Sequence, residues 1–201
     1  MTTTDLSSSL TLGRIALATG VVGLLALASI ILFFTIGQPF GTLNDIFIGL
    51  AAILSAVLAW MFYPQHQAQS PLLSQVALGA AIIGALIVAV GAGFVVFGIT
   101  GWFLAGLYMA AGNALIGVWL IGQSYSAQQN SFLPQGLVIP GMVIGAIMLL
   151  GLAAIPGIFS RVDAWDTAPW YVNYVGQSGA LGYLVLYPIW CVWLGRALPS
   201  P

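Results

Sequence analysis

PLLSQVALGAAIIGALIVAVGAGFVVFGITGWFLAGLYMAAGNALIGVWLIG, residues 71–122, contains no Asp, Glu, Lys or Arg. A helix that crosses a bilayer takes about 20 apolar residues. The run is therefore too long for one crossing and long enough for two. It divides at GITG, 98–101, whose two glycines suit a tight turn. Outward from that turn the chain holds six apolar runs, at 14–36, 43–62, 72–97, 101–122, 134–158 and 178–195. Backbone polar groups in hydrocarbon must pair within their own segment, so each run predicts a helix. The apolar–polar alternation of a membrane barrel is missing. The expected fold is all-α, a polytopic transmembrane bundle of six helices over 14–198, with a disordered polar tail at 1–13.

The composition agrees. Of 201 residues, 61% are hydrophobic and 3% charged, against roughly 25% charged in a soluble domain. There are three arginines, four aspartates, no lysine and no glutamate. Lipid must solvate most of the chain, which makes the bilayer its first partner. Nucleic acid is not expected as a partner, because phosphate binding needs clustered Lys and Arg.

The same counts exclude chemistries. Without lysine there is no retinal Schiff base and no lysine nucleophile. One histidine, His66, in a polar loop, cannot supply a bis-histidine haem or a histidine-rich metal site. HExxH, GxSxG and GxxxxGK[ST] do not occur. The single Cys191 forms no internal disulfide and reads as a small apolar residue. The expectation is a protein that is not an enzyme, with no cofactor, no metal and no catalytic residue.

Six spans put both termini on one side. Arg14 and Arg196 fall there, and Arg161 falls opposite, which favours cytoplasmic termini. Trp60 and Tyr63, Trp119 and Tyr125, and Trp190 and Trp193 lie near span ends on that same side, as interfacial rings do. The one long connection, an outer interfacial loop at 159–177, carries Arg161, Asp163, Trp165, Asp166, Trp170 and Tyr171. It is the candidate surface for an external partner. The alternative is an aromatic anchor for the last two spans.

VVGLL at 21–25, IIGAL at 82–86 and VIGAI at 143–147 recur at an offset of 61 residues, which suggests three hairpin repeats. Short matches of this kind also arise by chance among membrane helices. Helices in lipid associate through close contact and polar pairing. Gly141 with Gly145, Ala51 with Ser55 and Ala59, and Ala85 with Ala89 and Gly93 form small-residue stripes. These are seams within one bundle or a homo-oligomer face. Pro140, Pro156 and Pro188 should kink the last two spans.

Few polar residues enter the spans. Thr42 and Asp45 have the spacing of a capping box, with Asp45 tidying a helix start. The alternative for Asp45 is an ion or proton site. Asn113 falls near the middle of its span, where an unpaired amide is costly. Gln75, Tyr183 and Tyr187 are its candidate partners across helices. A cavity lined by Asn113 is the alternative.

SFLPQGLVIPGMVIGAIMLLG (131–151) and GYLVLYPIWCVWLGRAL (182–198) resemble segments of bacterial six-helix integral membrane proteins grouped as families of unknown function. The resemblance implies a multi-pass protein of the bacterial inner membrane and carries no activity. The first expectation for function is a non-catalytic accessory subunit or scaffold that packs with a membrane partner or with itself. The alternative is a binder or transporter of a lipophilic or small neutral molecule such as a lipid, quinone or isoprenoid. A cavity reaching Asn113 would separate the two.

Overall fold

The structure, a computed structural model, describes residues 3–67, 70–130 and 133–198. Six helices long and apolar enough to cross a membrane occupy these segments, with no strand among the described residues. They are α1 Thr3–Ile36, α2 Phe40–Gln67, α3 Pro71–Val96, α4 Trp102–Asn130, α5 Gln135–Phe159 and α6 Val172–Ala197. The exterior is what lipid requires. Leu72, Phe34 and Ile139 are 74%, 70% and 67% exposed, a surface that would aggregate in water.

The segment expected as a tail over 1–13 is helical from Thr3, and residues 1 and 2 lie outside the described residues. Packing extends the helix. Leu12 is buried, and Gly13 lies against Gly195 of α6 and Leu198 just beyond its end. Tertiary contact of this kind sustains a helical turn that propensity alone would not.

Each helix packs on its neighbours in sequence, and α1 closes on α6. α4 is the hub. Its most apolar window is 72% buried, against 33–44% for the other five. The turns at 37–39 and 97–101 and the 160–171 connection share one side, called here the loop side. Both chain ends lie on the opposite, terminus side. Trp119 and Trp190, expected at the interface, are instead buried in the core, while Trp60, Tyr125 and Trp193 are exposed.

Glycines let the helix backbones touch. A Cβ on Gly84 of α3 would stand 2.5 Å from the Gly112 carbonyl of α4, and one on Gly112 would stand 2.6 Å from the Gly84 carbonyl. Gly117 of α4 and Gly145 of α5 form a second reciprocal pair, at 2.8 and 2.7 Å. Such approach permits Cα–H···O contacts that side chains would forbid. The stripe on α3 runs through Ala77, Ala81, Ala85, Val88 and Ala92, whereas Ala89 and Gly93, expected in it, are only half-buried. A straight row at i, i+4, i+8 drifts around the helix because a turn holds about 3.6 residues.

The equivalent glycines of the suggested repeat do not share an environment. Gly84 and Gly145 face α4, and Gly23 faces Pro188 of α6.

α5 and α6 depart from regular α geometry. α5 passes Pro140 without interruption, tightens to a 3₁₀ turn over Leu150–Ala154, and resumes at Ile155–Phe159. α6 widens to π turns over Val172–Gly176 and Gly182–Leu186. The 3₁₀ turn stands just before Pro156 and the second π turn just before Pro188, as a lost backbone donor predicts. Pro140 acts too near the helix start to break it, since the carbonyl it deprives belongs to Gly136 in the first turn. The seam between the two helices has a spacing of three on both sides. Gly176, Gly179 and Gly182 meet Ala154, Gly151 and Met148 respectively. Three residues per 3₁₀ turn align Gly151 and Ala154 in one row.

Two glycines of α3 should respond oppositely to alanine. Gly84→Ala drives a methyl into the α4 backbone and should cost about 1–3 kcal/mol. A Cβ on Gly79 meets nothing within 4 Å, so Gly79→Ala should gain about 0.5–1 kcal/mol from helix propensity. Unfolding titrations in mixed micelles measure both, and the same sign for the two would refute the contact geometry.

Candidate functional site

On the loop side, the connection between α5 and α6 is bound to α4. Asp163 Oδ2 accepts the Gly101 N–H and Oδ1 accepts the Leu104 N–H, both at 2.9 Å. These are among the N–H groups that a helix start leaves unpaired, and the carboxylate also meets the positive end of the helix dipole. Gly101 is required here, because a Cβ would collide with the Asp163 carboxylate. The other glycine of the GITG turn, Gly98, has φ +65° and ends α3, with the Ile99 N–H donating back to the Phe94 carbonyl at 2.7 Å. Thus the two glycines do separate jobs.

The loop residues expected to greet a partner divide accordingly. Asp163 is spent on α4. Trp165 stands edge-on to Phe103 and Tyr174, with ring centroids 6.1 Å apart in both cases. The Asn173 side-chain amide donates to the Trp165 carbonyl at 2.8 Å. Trp170 and Tyr171 pair with each other. Arg161 has φ 51° in the turn that ends α5, and Asp166 is exposed.

Below this loop a cavity of about 90 Å³ opens between α1, α2, α4 and α6. Its wall is mostly apolar, with Ile30 from α1, Ile48 from α2, Met109 from α4 and Leu184 from α6. Trp102, 48% exposed, stands at its loop-side end. Asn113 lines it eleven residues further along α4, roughly 16 Å deeper at about 1.5 Å per residue.

Two side chains in that wall lack what burial normally demands. Asp45 is 2% exposed and Asn113 is 6% exposed, and the Oδ1 atom of each has no hydrogen-bond partner. Both residues line the cavity. The capping box expected at Thr42 and Asp45 is not formed. α2 begins at Phe40, three residues before the Leu43 start that reading required, which carries Asp45 past the first turn and into the bundle. The Thr42 N–H instead has a long contact, 3.4 Å, with Gln38 Oε1.

The partners expected for Asn113 are engaged or distant. Gln75 is exposed near the terminus-side end of α3, a helix that does not line the cavity. The Tyr187 hydroxyl donates to Ser55 Oγ at 2.9 Å, and Ser55 passes its own proton to the Ala51 carbonyl at 2.7 Å. The Tyr183 hydroxyl donates to the Ile48 carbonyl at 3.1 Å. Tyr183, Tyr187 and Trp190 stack along α6 with interplanar angles of 15°. The Trp190 indole then donates to the Leu137 carbonyl of α5 at 2.9 Å.

Asn44, Gly106 and Gln177 also belong to the cavity wall and were not foreseen. Asn44 could have been suspected from its place beside Asp45. It holds α2 to α1 by donating to the Ala26 carbonyl at 2.9 Å. Among the described residues no three His, Cys, Asp or Glu side chains are grouped to hold a metal. The side chain of His66 lies outside the described residues. Larger hollows of about 320 and 220 Å³ flank α4, but their walls, such as Val118 and Ile121 or Leu115 and Ile155, are almost wholly apolar and give no direction to a contact.

No known protein family, curated protein or solved structure matches this chain.

Two substitutions test the geometry. Asp163→Ala uncovers the α4 start and should lower stability by about 0.5–2 kcal/mol, the usual worth of a cap. Asp45→Leu removes a buried oxygen without a partner and should raise stability by about 1–3 kcal/mol. Thermal unfolding in detergent reads both. A loss of stability in Asp45→Leu would mean that the carboxylate is already compensated.

Proposed function

We propose that this membrane protein is a non-catalytic binder of a small molecule held between α1, α2, α4 and α6. The observation that carries the reading is the cavity with two partnerless buried oxygens, Asp45 Oδ1 and Asn113 Oδ1. An unpaired polar atom at membrane depth costs stability, and polar groups kept there at such cost mark sites of function. A polar terminus and an apolar wall suit a ligand with a hydrogen-bonding head and a hydrocarbon body. An apolar cavity of about 150 Å³ admits benzene, so the space here, about 90 Å³, suits a head of a few heavy atoms. Trp102 and Gln177 put the approach on the loop side, which on the charge pattern is the non-cytoplasmic face of a bacterial inner membrane.

The scaffold reading has less behind it. Its motives are scarce intramembrane charge, short loops and a store of small residues, and of these the glycine pairs Gly84–Gly112, Gly117–Gly145 and Gly13–Gly195 are consumed inside the chain.

Gly106 offers the test. It lines the cavity, and a Cβ there meets nothing within 4 Å. Gly106→Leu should fill the space while the bundle folds normally. Native mass spectrometry of protein extracted from its membrane should show a retained small molecule on the wild type and none on Gly106→Leu. Identical small-molecule profiles for the two proteins would overturn the proposal.

A further inference from the structure

We infer that the molecule held in this cavity is an organic ammonium ion, a protonated amine on a short apolar body. The inference rests on the binding role proposed above and names the ligand's chemistry.

The cavity wall holds two acceptors that no donor meets, beside the amide N–H groups of Asn44, Asn113 and Gln177. Asp45 Oδ1 and Asn113 Oδ1 are free to accept. The Tyr183 hydroxyl has spent its proton on the Ile48 carbonyl, so only its lone pairs can serve a ligand. The Asn44 amide has committed one of its two N–H groups to the Ala26 carbonyl. A molecule that satisfies these groups must bring several donors on one small centre, which an ammonium does with three.

Charge points the same way. Asp45 has no ion-pair partner among the described residues, and no arginine lines the cavity. Arg14 and Arg196 belong to the terminus-side ends of α1 and α6, and Arg161 stands in the loop. A carboxylate inside a span ordinarily pairs with a cation, and here the ligand is the one left to provide it. The ring of Trp102 at the loop-side end is a surface over which an organic cation is stabilised. A bare metal ion fits poorly, since hard cations gather six or more oxygens and most of this wall is hydrocarbon.

The test is thermal unfolding of the full chain in detergent with matched probes: n-propylamine, n-propanol, propionate, and sodium chloride at equal ionic strength. The amine should raise the melting temperature of the wild type. The alcohol should bind about tenfold more weakly or worse, the difference between a charged and a neutral hydrogen bond. Propionate and sodium chloride should give no shift. The amine shift should vanish in Asp45→Asn and in Gly106→Leu. An alcohol as good as the amine, an amine shift that survives Asp45→Asn, or an equal shift with sodium would each overturn the ammonium assignment. So would the absence of an amine shift in the wild type. The small molecule retained by the wild type and lost from Gly106→Leu judges the binding role separately, so either claim can fail alone.

Discussion

Hydrocarbon offers a polar group no hydrogen-bond partner, and almost every feature of this bundle is an answer to that fact. The helices pair their own backbones. Where a helix starts or stops, other groups step in: Asp163 covers the first turn of α4, and the Phe94 carbonyl takes a proton from beyond the end of α3. Three buried hydroxyls follow the same rule. Thr19, Ser55 and Ser74 each return their proton to the carbonyl four residues back. Among the described residues five buried side-chain oxygens lack a partner, and two of them, on Asp45 and Asn113, belong to one cavity wall.

Cohesion has to come from shape, because apolar burial hardly drives association between helices in lipid. The reciprocal glycine crossings supply it, and they centre on α4, which meets α3 at Gly112 and α5 at Gly117. One turn and a half separates those two glycines, so they face different sides of the helix. Asn113 follows Gly112 directly and stands one turn before Gly117, in the row of α4 that lines the cavity. The residues that make α4 the hub therefore also fix where its one mid-span amide must look.

The fold was legible because its signal is crude: six apolar runs, interrupted by short polar or glycine-rich breaks, leave little choice of architecture. Finer statements fared according to how local their causes are. The turn at GITG could be read, since a glycine with positive φ is a local requirement. That Gly101 also makes room for Asp163 could not, because the two are brought together only by the arrival of a later connection. Asp45 was misplaced by the start of α2, three residues earlier than expected. Asn113 was recognised as costly, but which helix would face it depends on the rotation of four helices at once. The three-residue glycine spacing at 176, 179 and 182 was open to view and went unread, since a search for spacings of four passes over it.

The contact between Gly13 and Gly195 joins the first membrane crossing to the last. A ribosome releases those two glycines far apart in time, so the nascent chain must insert five helices before the circle can shut. Until α6 arrives, the inner flank of α1 lies open to lipid, and the chamber beside Asp45 lacks one of its four sides. The proposed binding role therefore needs α6 in place, because a fragment ending before residue 172 lacks that side of the chamber.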